Sequence, residues 1–326
     1  MRLTRELGKR LVGLVLVIFL VTLFTSLLVS WMPGDPVDTL IPLRDDSPGV
    51  VERKAELRSD LNLDRAFPVR YWGWVSDFFT GDFGSFFRVS GEDPVRDTVA
   101  DSIPVSLQLM GYAQVIALVV AVPLAVAAAY KAGGRFDKTA NTTAFGLLAL
   151  PNYVVGLLLA FYVGVWLGWL PNTGYTPFGE DVVEHFRRMI LPAVSLAAGL
   201  IAIYMRLLRS DMVQTLQEDF IQMARSKGLS DRRVLWRHAL RPSSATLLTV
   251  VGLNVGFLIS GAIVIERIFS IPGLGLRIFE AIQQRQIVAL QSYVAIIAIF
   301  FVLVNFLVDV LHTFIDPRIR HARARG

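Results

Sequence analysis

Long stretches without Asp, Glu, Lys or Arg alternate along the chain with shorter charged ones. They run from Leu11 to Gly34, Ser102 to Tyr130, Thr139 to Gly179, Met189 to Met205 and Pro242 to Ile265. A last one runs from Gln286 to Val308 and continues past Asp309 to Ile315. A helix of about 20 apolar residues crosses a hydrocarbon core about 30 Å thick, so each stretch predicts a membrane span. The third, with 41 residues, is long enough for two, and Pro151-Asn152 is the obvious turn between them. Thr139 to Leu150 would then give only about 18 Å of helix, too short to cross. One span ending near Trp166 and Trp169 is the better expectation. The pattern predicts an all-α integral membrane protein with six transmembrane helices.

The first stretch follows Arg2, Arg5, Lys9 and Arg10, which resemble the basic start of a signal peptide. It is too long for one, and no small-x-small cleavage site precedes Trp31-Met32-Pro33, so it reads as a signal-anchor helix. The expected division is residues 1–31 for the N-terminus and first span and 32–101 for a small extracytoplasmic segment. Residues 102–315 hold spans two to six, with a charged loop at 206–241, and 316–326 form a tail.

Composition sharpens this picture. Of the 326 residues 54% are hydrophobic and 18% charged, against about 45–50% and 25% in soluble domains. A soluble globular enzyme and a disordered chain are both excluded. There are no cysteines, which removes disulfides, thiolate catalysis and Cys-based metal sites. The net charge of +5 is informative only once it is divided between the two sides. With both termini in the cytoplasm, the inside carries 19 Lys and Arg against 7 acidic residues, and the outside 13 against 19. That is the positive-inside asymmetry. Trp31, Trp166, Trp169 and Tyr293 fall at outer ends and Tyr130 and Tyr204 at inner ends, where interfacial aromatic belts are expected. The basic excess is thus a topology signal, and no nucleic-acid partner is implied.

Two polar segments invite a functional reading. In 32–101, the breaker cluster Pro33-Gly34-Asp35-Pro36 is followed by a charged helical stretch around Val51–Leu61. Pro68 can then start a short helix with Tyr71, Trp74, Val75 and Phe78 at helical spacing, ended by Gly81-Asp82-Phe83-Gly84. It is either a docking surface whose aromatics lie on the membrane or a small cap packed on the protein's own helices. In 206–241, Asp219 is a candidate N-cap for a helix carrying Phe220, Ile221, Met223 and Ala224, and Gly228 follows Lys227 as a C-terminal glycine. Ser230 can cap a second helix, Asp231 to Leu240, which Pro242 closes. The first helix is expected to expose Phe220, Met223 and Ala224 beside Arg225 and Lys227. Small capped helices with apolar faces suggest docking into a groove of another protein.

These residues resemble a known family. Asp219-Phe220-Ile221-Gln222-Met223-Ala224-Arg225-Ser226-Lys227-Gly228-Leu229-Ser230, followed by Arg237-His238-Ala239-Leu240-Arg241-Pro242, is similar to the EAA loop of ABC-importer permeases. The variant is that of the dipeptide/oligopeptide group. Pro33-Gly34-Asp35-Pro36, Leu61-Asn62-Leu63-Asp64-Arg65, Gly81-Asp82-Phe83-Gly84, the run Glu266 to Gly275 and the tail Asp316-Pro317-Arg318 resemble the B-type subunit, so the likeness covers the whole chain. Two departures stand out. Gln222 replaces the glutamate that names the loop, with Met223 in place of the first alanine. Arg285-Gln286-Ile287-Val288 replaces the Arg-Asp-x-Pro often found before span six.

The resemblance implies a membrane importer at the inner membrane. Its partners would be a second permease, two ABC ATPase domains and an extracytoplasmic peptide-binding protein. ATP and Mg would sit on the ATPase subunits and no cofactor on this chain. Phe220, Met223, Ala224, Lys227, Gly228 and Leu229 would form the ATPase-coupling element. The chain also lacks a G-x-x-x-x-G-K-[ST] loop, so it is not expected to be an enzyme. Close relatives of such permeases carry nickel, glutathione or oligosaccharides, and the substrate follows the binding protein.

The main alternative is an ion-coupled secondary transporter. It would need intramembrane ionisable groups, of which only Asp309 qualifies. An intramembrane enzyme finds no support in the scattered His185, His238, His312 and His321. Asn152, Asn254, Ser260 and Asn305 stand as polar residues on apolar helices. They either line a translocation path or hydrogen-bond between helices, at about 0.6–2 kcal/mol each. Pro104, Pro123, Pro151 and Pro192 are expected to bend helices.

Overall fold

The structure, a computed structural model, describes residues 2–31, 37, 48–60, 63–88 and 91–315. The Pro33-Gly34-Asp35-Pro36 cluster, Leu61-Asn62 and the tail 316–326 lie outside the described residues, as does the side chain of Asp309.

The helices are α1 (Arg2–Trp31), α2 (Pro48–Asp60), α3 (Phe67–Thr80), α4 (Val95–Tyr130), α5 (Arg135–Ala149), α6 (Asn152–Trp166) and α7 (Val182–Thr215). The chain then forms α8 (Asp219–Ser226), α9 (Asp231–Phe269), α10 (Leu274–Gln283) and α11 (Ile287–Ile315). Strands β1 (Ser85–Arg88) and β2 (Gly91–Pro94) form an antiparallel hairpin with Ser85 opposite Pro94. This hairpin departs from the purely α-helical expectation. α4, α7, α9 and residues 287–307 of α11 are long and apolar enough to cross a membrane, and α5 with α6 adds a fifth crossing if the pair counts as one span. In α1 the apolar stretch among described side chains is Val15–Leu28.

The third predicted span is not one straight helix. α5 and α6 are bent by 98° at Leu150-Pro151. A proline disfavours helical backbone in the residue before it, and Leu150 is extended at φ −94°, ψ 123°. Pro151 then serves as the N-cap of α6, its carbonyl accepting from the Val154 N–H at 2.9 Å. The fifth span departs in the opposite sense. Pro242 closes nothing, because α9 runs unbroken from Asp231 through a π-helical stretch at Val234–Ala239. Proline lacks an N–H and clashes with the carbonyl four residues back. A local widening to i→i+5 pairing is how a helix commonly absorbs such a defect.

The chain divides into two compact units. The first comprises residues 1–106 and 272–302. Its core joins Phe86, Val95 and Val99 to Leu274, Ile278 and Tyr293. Here α3 is a packed element, starting with Pro68 in its first turn and ending at Gly81 in the left-handed conformation (φ 92°). Tyr71 and Trp74 are buried with Phe19, Leu23 and Ala295. The Tyr71 hydroxyl meets Thr22 Oγ1 at 2.9 Å, and the Trp74 indole N–H donates to Ser292 Oγ at 3.0 Å. These two rings support the cap reading of the segment, whereas Trp72 and Phe79 on the other side of α3 are exposed. Tyr293 is fully buried in the same unit and is not part of an interfacial belt.

The second unit comprises residues 107–271 and 303–326. α7 lies at its centre, packed by α5, α6 and α9. Glycines permit the closest approaches. A Cβ on Gly156 of α6 would come within 3.0 Å of Ile265 Cδ1, and one on Gly261 of α9 within 2.7 Å of Leu196 Cδ1. Small residues at crossings are the usual means by which helices in lipid gain van der Waals contact. Tyr204, expected at an inner interface, is instead fully buried and hydrogen-bonded to Gln114. Trp31, Trp166, Trp169 and Tyr130 are exposed, as belt residues should be.

Candidate functional site

The loop between α7 and α9 belongs entirely to the second unit. Its helix, α8, begins one residue earlier than expected. Glu218 occupies the N-cap without a side-chain bond, and Asp219 sits in the first turn, where a negative charge favours the helix dipole. Ile221 and Ala224, three residues apart, are buried and turn α8 onto the protein. Ala224 is only 7% exposed, which corrects the expectation that it is presented outward. Phe220 and Met223 are 46% and 60% exposed, and Lys227 continues the same stripe at helical spacing. The face offered to solvent is thus Phe220-Met223-Lys227.

The end of α8 follows from its glycine. Gly228 has φ +74°, and its N–H donates to the Arg225 carbonyl at 2.9 Å. The Leu229 N–H donates to the Ala224 carbonyl at 3.3 Å. This pair of bonds is the Schellman motif, which satisfies two carbonyls that a helix end would leave open. Ser230 is the N-cap of α9, as expected. Behind the corner, Val234, Leu235 and Ala239 are buried. Two polar contacts fix the loop's roots. Thr215 Oγ1 meets Ser243 Oγ at 2.9 Å, and the Tyr130 hydroxyl donates to Asp231 Oδ2 at 3.0 Å. The element is a short amphipathic helix that ends on a hydrogen-bonded glycine corner.

The four polar candidates for a path occupy different settings. Asn152 is half-buried at the start of α6, and a Cβ on Gly199 would come within 3.2 Å of its Oδ1, one on Gly261 within 3.5 Å of its Nδ2. It therefore sits between Gly199 of α7 and Gly261 of α9, while Ser260 is exposed. Asn254 donates to the Val250 carbonyl of its own helix at 2.9 Å. Asn305 is half-buried on α11. Sequence reasoning passed over Asp137 and Arg209, which pair across 72 residues; no spacing rule links side chains so far apart in the chain.

Comparison with known proteins places the chain in a family. Residues 121–321 match the family described as binding-protein-dependent transport system inner membrane component, and residues 3–110 match its N-terminal part. The chain belongs to this family. Among its relatives is the dipeptide transport system permease protein DppB of Escherichia coli K12, 35% identical over 96% of this chain and 98% of that protein. A Brucella abortus protein named as a peptide transport system permease is 36% identical over 98% of this chain and 100% of its own length. A Sinorhizobium fredii protein named as a peptide ABC transporter permease is 32% identical over 96% and 98%. The matched family region contains α8 and its glycine corner. This inner membrane component is a transport subunit, and its apolar helices make it a multi-pass membrane protein.

Proposed function

We propose that this chain is one of two permease subunits of an ATP-driven peptide importer of the inner membrane. α1, α4, the broken pair α5 and α6, α7, α9 and α11 serve as the six spans, with both termini in the cytoplasm. Residues 32–101 lie outside and 316–326 form a cytoplasmic tail. A second, homologous permease completes the translocation path. Two ABC ATPase domains bind ATP and Mg, and this chain hydrolyses nothing itself. An extracytoplasmic binding protein delivers di- or oligopeptides, a substrate class supported by the names of the relatives.

The observation that carries this reading is the build of α8. Its buried side holds it to the corner, and its opposite side offers an aromatic, a methionine and a lysine. An ATPase groove receives Phe220, Met223 and Lys227. Gly228 and Leu229 set the angle of the corner, and Ala224 supports from behind. Asn152, Asn254, Ser260 and Asn305 are the polar side chains assigned to the translocation path. The test is peptide uptake by cells carrying the transporter with this subunit intact, deleted or altered at Gly228, beside copurification of the ATPases. Uptake that persists without the chain overturns the proposal.

A further inference from the structure

A cavity of about 410 Å³ opens in the first unit between α3, β1 and the start of α11. Its volume falls in the range of small-ligand sites. Its polar lining carries both signs of charge, with Arg65 and Arg70 against Asp77 and Asp82. These groups are not spent on each other. Neither the Arg65 guanidinium nor the Asp77 carboxylate has an ion-pair or hydrogen-bond partner among the described residues. Among the described residues, Arg70 reaches only the neutral Ser30 hydroxyl at 3.1 Å, and Asp82 Oδ1 accepts only the Gly84 N–H at 2.9 Å.

Arg70 and Asp77 stand on one face of α3, seven residues apart. Two helical turns separate them by about 10.5 Å along the axis, the length of about three extended residues. Gly73 lies on the cavity wall between them. A glycine inside a helix weakens it, and packing gives no reason for this one, since a Cβ there would meet nothing within 4 Å. The bare backbone leaves room for a ligand between the cationic and anionic ends.

We infer that this cavity binds a short zwitterionic peptide of two to four residues, its carboxylate towards Arg65 and Arg70 and its ammonium towards Asp77 and Asp82. A ligand of single charge would engage only one end of the site. The inference rests on the peptide-importer reading for the class of ligand, and nothing in that reading requires a site on this subunit outside the spans.

The test uses the full chain in nanodiscs, titrated calorimetrically with tri-alanine. Tri-alanine binds, and N-acetyl-tri-alanine and tri-alanine amide each bind about tenfold more weakly, as expected for one lost charge-assisted hydrogen bond. Asp77→Asn weakens tri-alanine to a similar degree. Gly73→Leu abolishes binding without lowering the melting temperature, because the leucine fills open space on a better helix former. Absence of tri-alanine binding overturns the inference, as does equal binding of the blocked peptides. So does Gly73→Leu that displaces an external protein partner but leaves tri-alanine bound. Cellular uptake of tri-alanine separates the two proposals. Uptake without direct binding sinks the cavity site and spares the importer; direct binding without uptake does the reverse.

Discussion

Asp137, in the first turn of α5, is gripped by Arg209 of α7 through both Nε and Nη2, the latter 2.6 Å from Oδ2. The carboxylate also accepts the Gly133 N–H and the Asn141 amide, each at 2.8 Å. Its side chain is 5% exposed and that of Arg209 23%. A bidentate guanidinium fixes orientation as well as distance. The pair therefore pins the first helix of the bent pair to the central helix of its unit, at the end away from the 98° bend.

Removing one partner of such a pair strands the other in a poorly solvated setting, at about 3–5 kcal/mol. Arg209→Ala should lower the melting temperature of the protein in nanodiscs. Adding Asp137→Asn removes the stranded charge while keeping an acceptor for Gly133, so the double variant should melt above Arg209→Ala alone. A double variant no more stable than the single would show that the charge pair is not what holds α5.

Gln286 suggests a second experiment. Its buried amide accepts from the Phe87 N–H at 3.1 Å and donates to the Phe87 carbonyl at 2.6 Å, closing the outer edge of β1 as a further strand would. Gln286→Glu keeps the acceptor and loses the donor. The Phe87 carbonyl then goes unsatisfied, at about 1–3 kcal/mol. Amide hydrogen exchange in Ser85–Arg88 and Gly91–Pro94 should accelerate while that in α7 stays unchanged. Unaltered hairpin protection would mean that the amide clamp contributes nothing.

Much of this arrangement was written in the apolar runs, because lipid forces long uncharged stretches into helices. The amphipathic spacing of Tyr71, Trp74 and Phe78, and the glycines after α3 and α8, were equally legible, since caps depend on local chemistry. What escaped depends on tertiary partners. Pro151 was visible, but span-length arithmetic argued against a break, and it cannot register two half-length helices bent at 98°. Glu92-Asp93-Pro94 gives no strand alternation, so the hairpin emerges only with the Gln286 clamp beside it. Ala224 looked like a contact residue because an alanine suits either face of α8; the buried Ile221 decides the side.

Sidedness is testable on this cysteine-free chain. Ser76 on α3 and Ser226 on α8 are both exposed. An impermeant thiol reagent should label Ser76→Cys in intact cells and leave Ser226→Cys unlabelled until the membrane is opened. The cytoplasmic excess of Lys and Arg sets this expectation. External labelling at Ser226→Cys would invert the topology and remove α8 from the side where ATPases reside.

The proposed coupling element can be taken apart residue by residue. Met223 faces outward, so Met223→Asp should leave the melting temperature unchanged while ATPase copurification falls, because a charge is placed where an apolar contact is proposed. Ala224 faces inward, so Ala224→Asp should act differently. It buries a carboxylate behind the corner, which should lower stability and reduce the amount of protein in the membrane. Gly228→Val forces a β-branched residue into φ +74°, a strain of about 1–2 kcal/mol. Relief would break the Leu229-to-Ala224 bond and turn the start of α9, so transport should be lost while some ATPase stays bound. Arg187→Ala, at a half-exposed ion pair of 3.5 Å near the start of α7, should change nothing measurable. The three measurements are melting temperature, ATPase copurification and peptide uptake. If Met223→Asp destabilises and Ala224→Asp only uncouples, the two faces of α8 are assigned the wrong way round. If Gly228→Val transports at the wild-type rate, the corner does not carry the stroke.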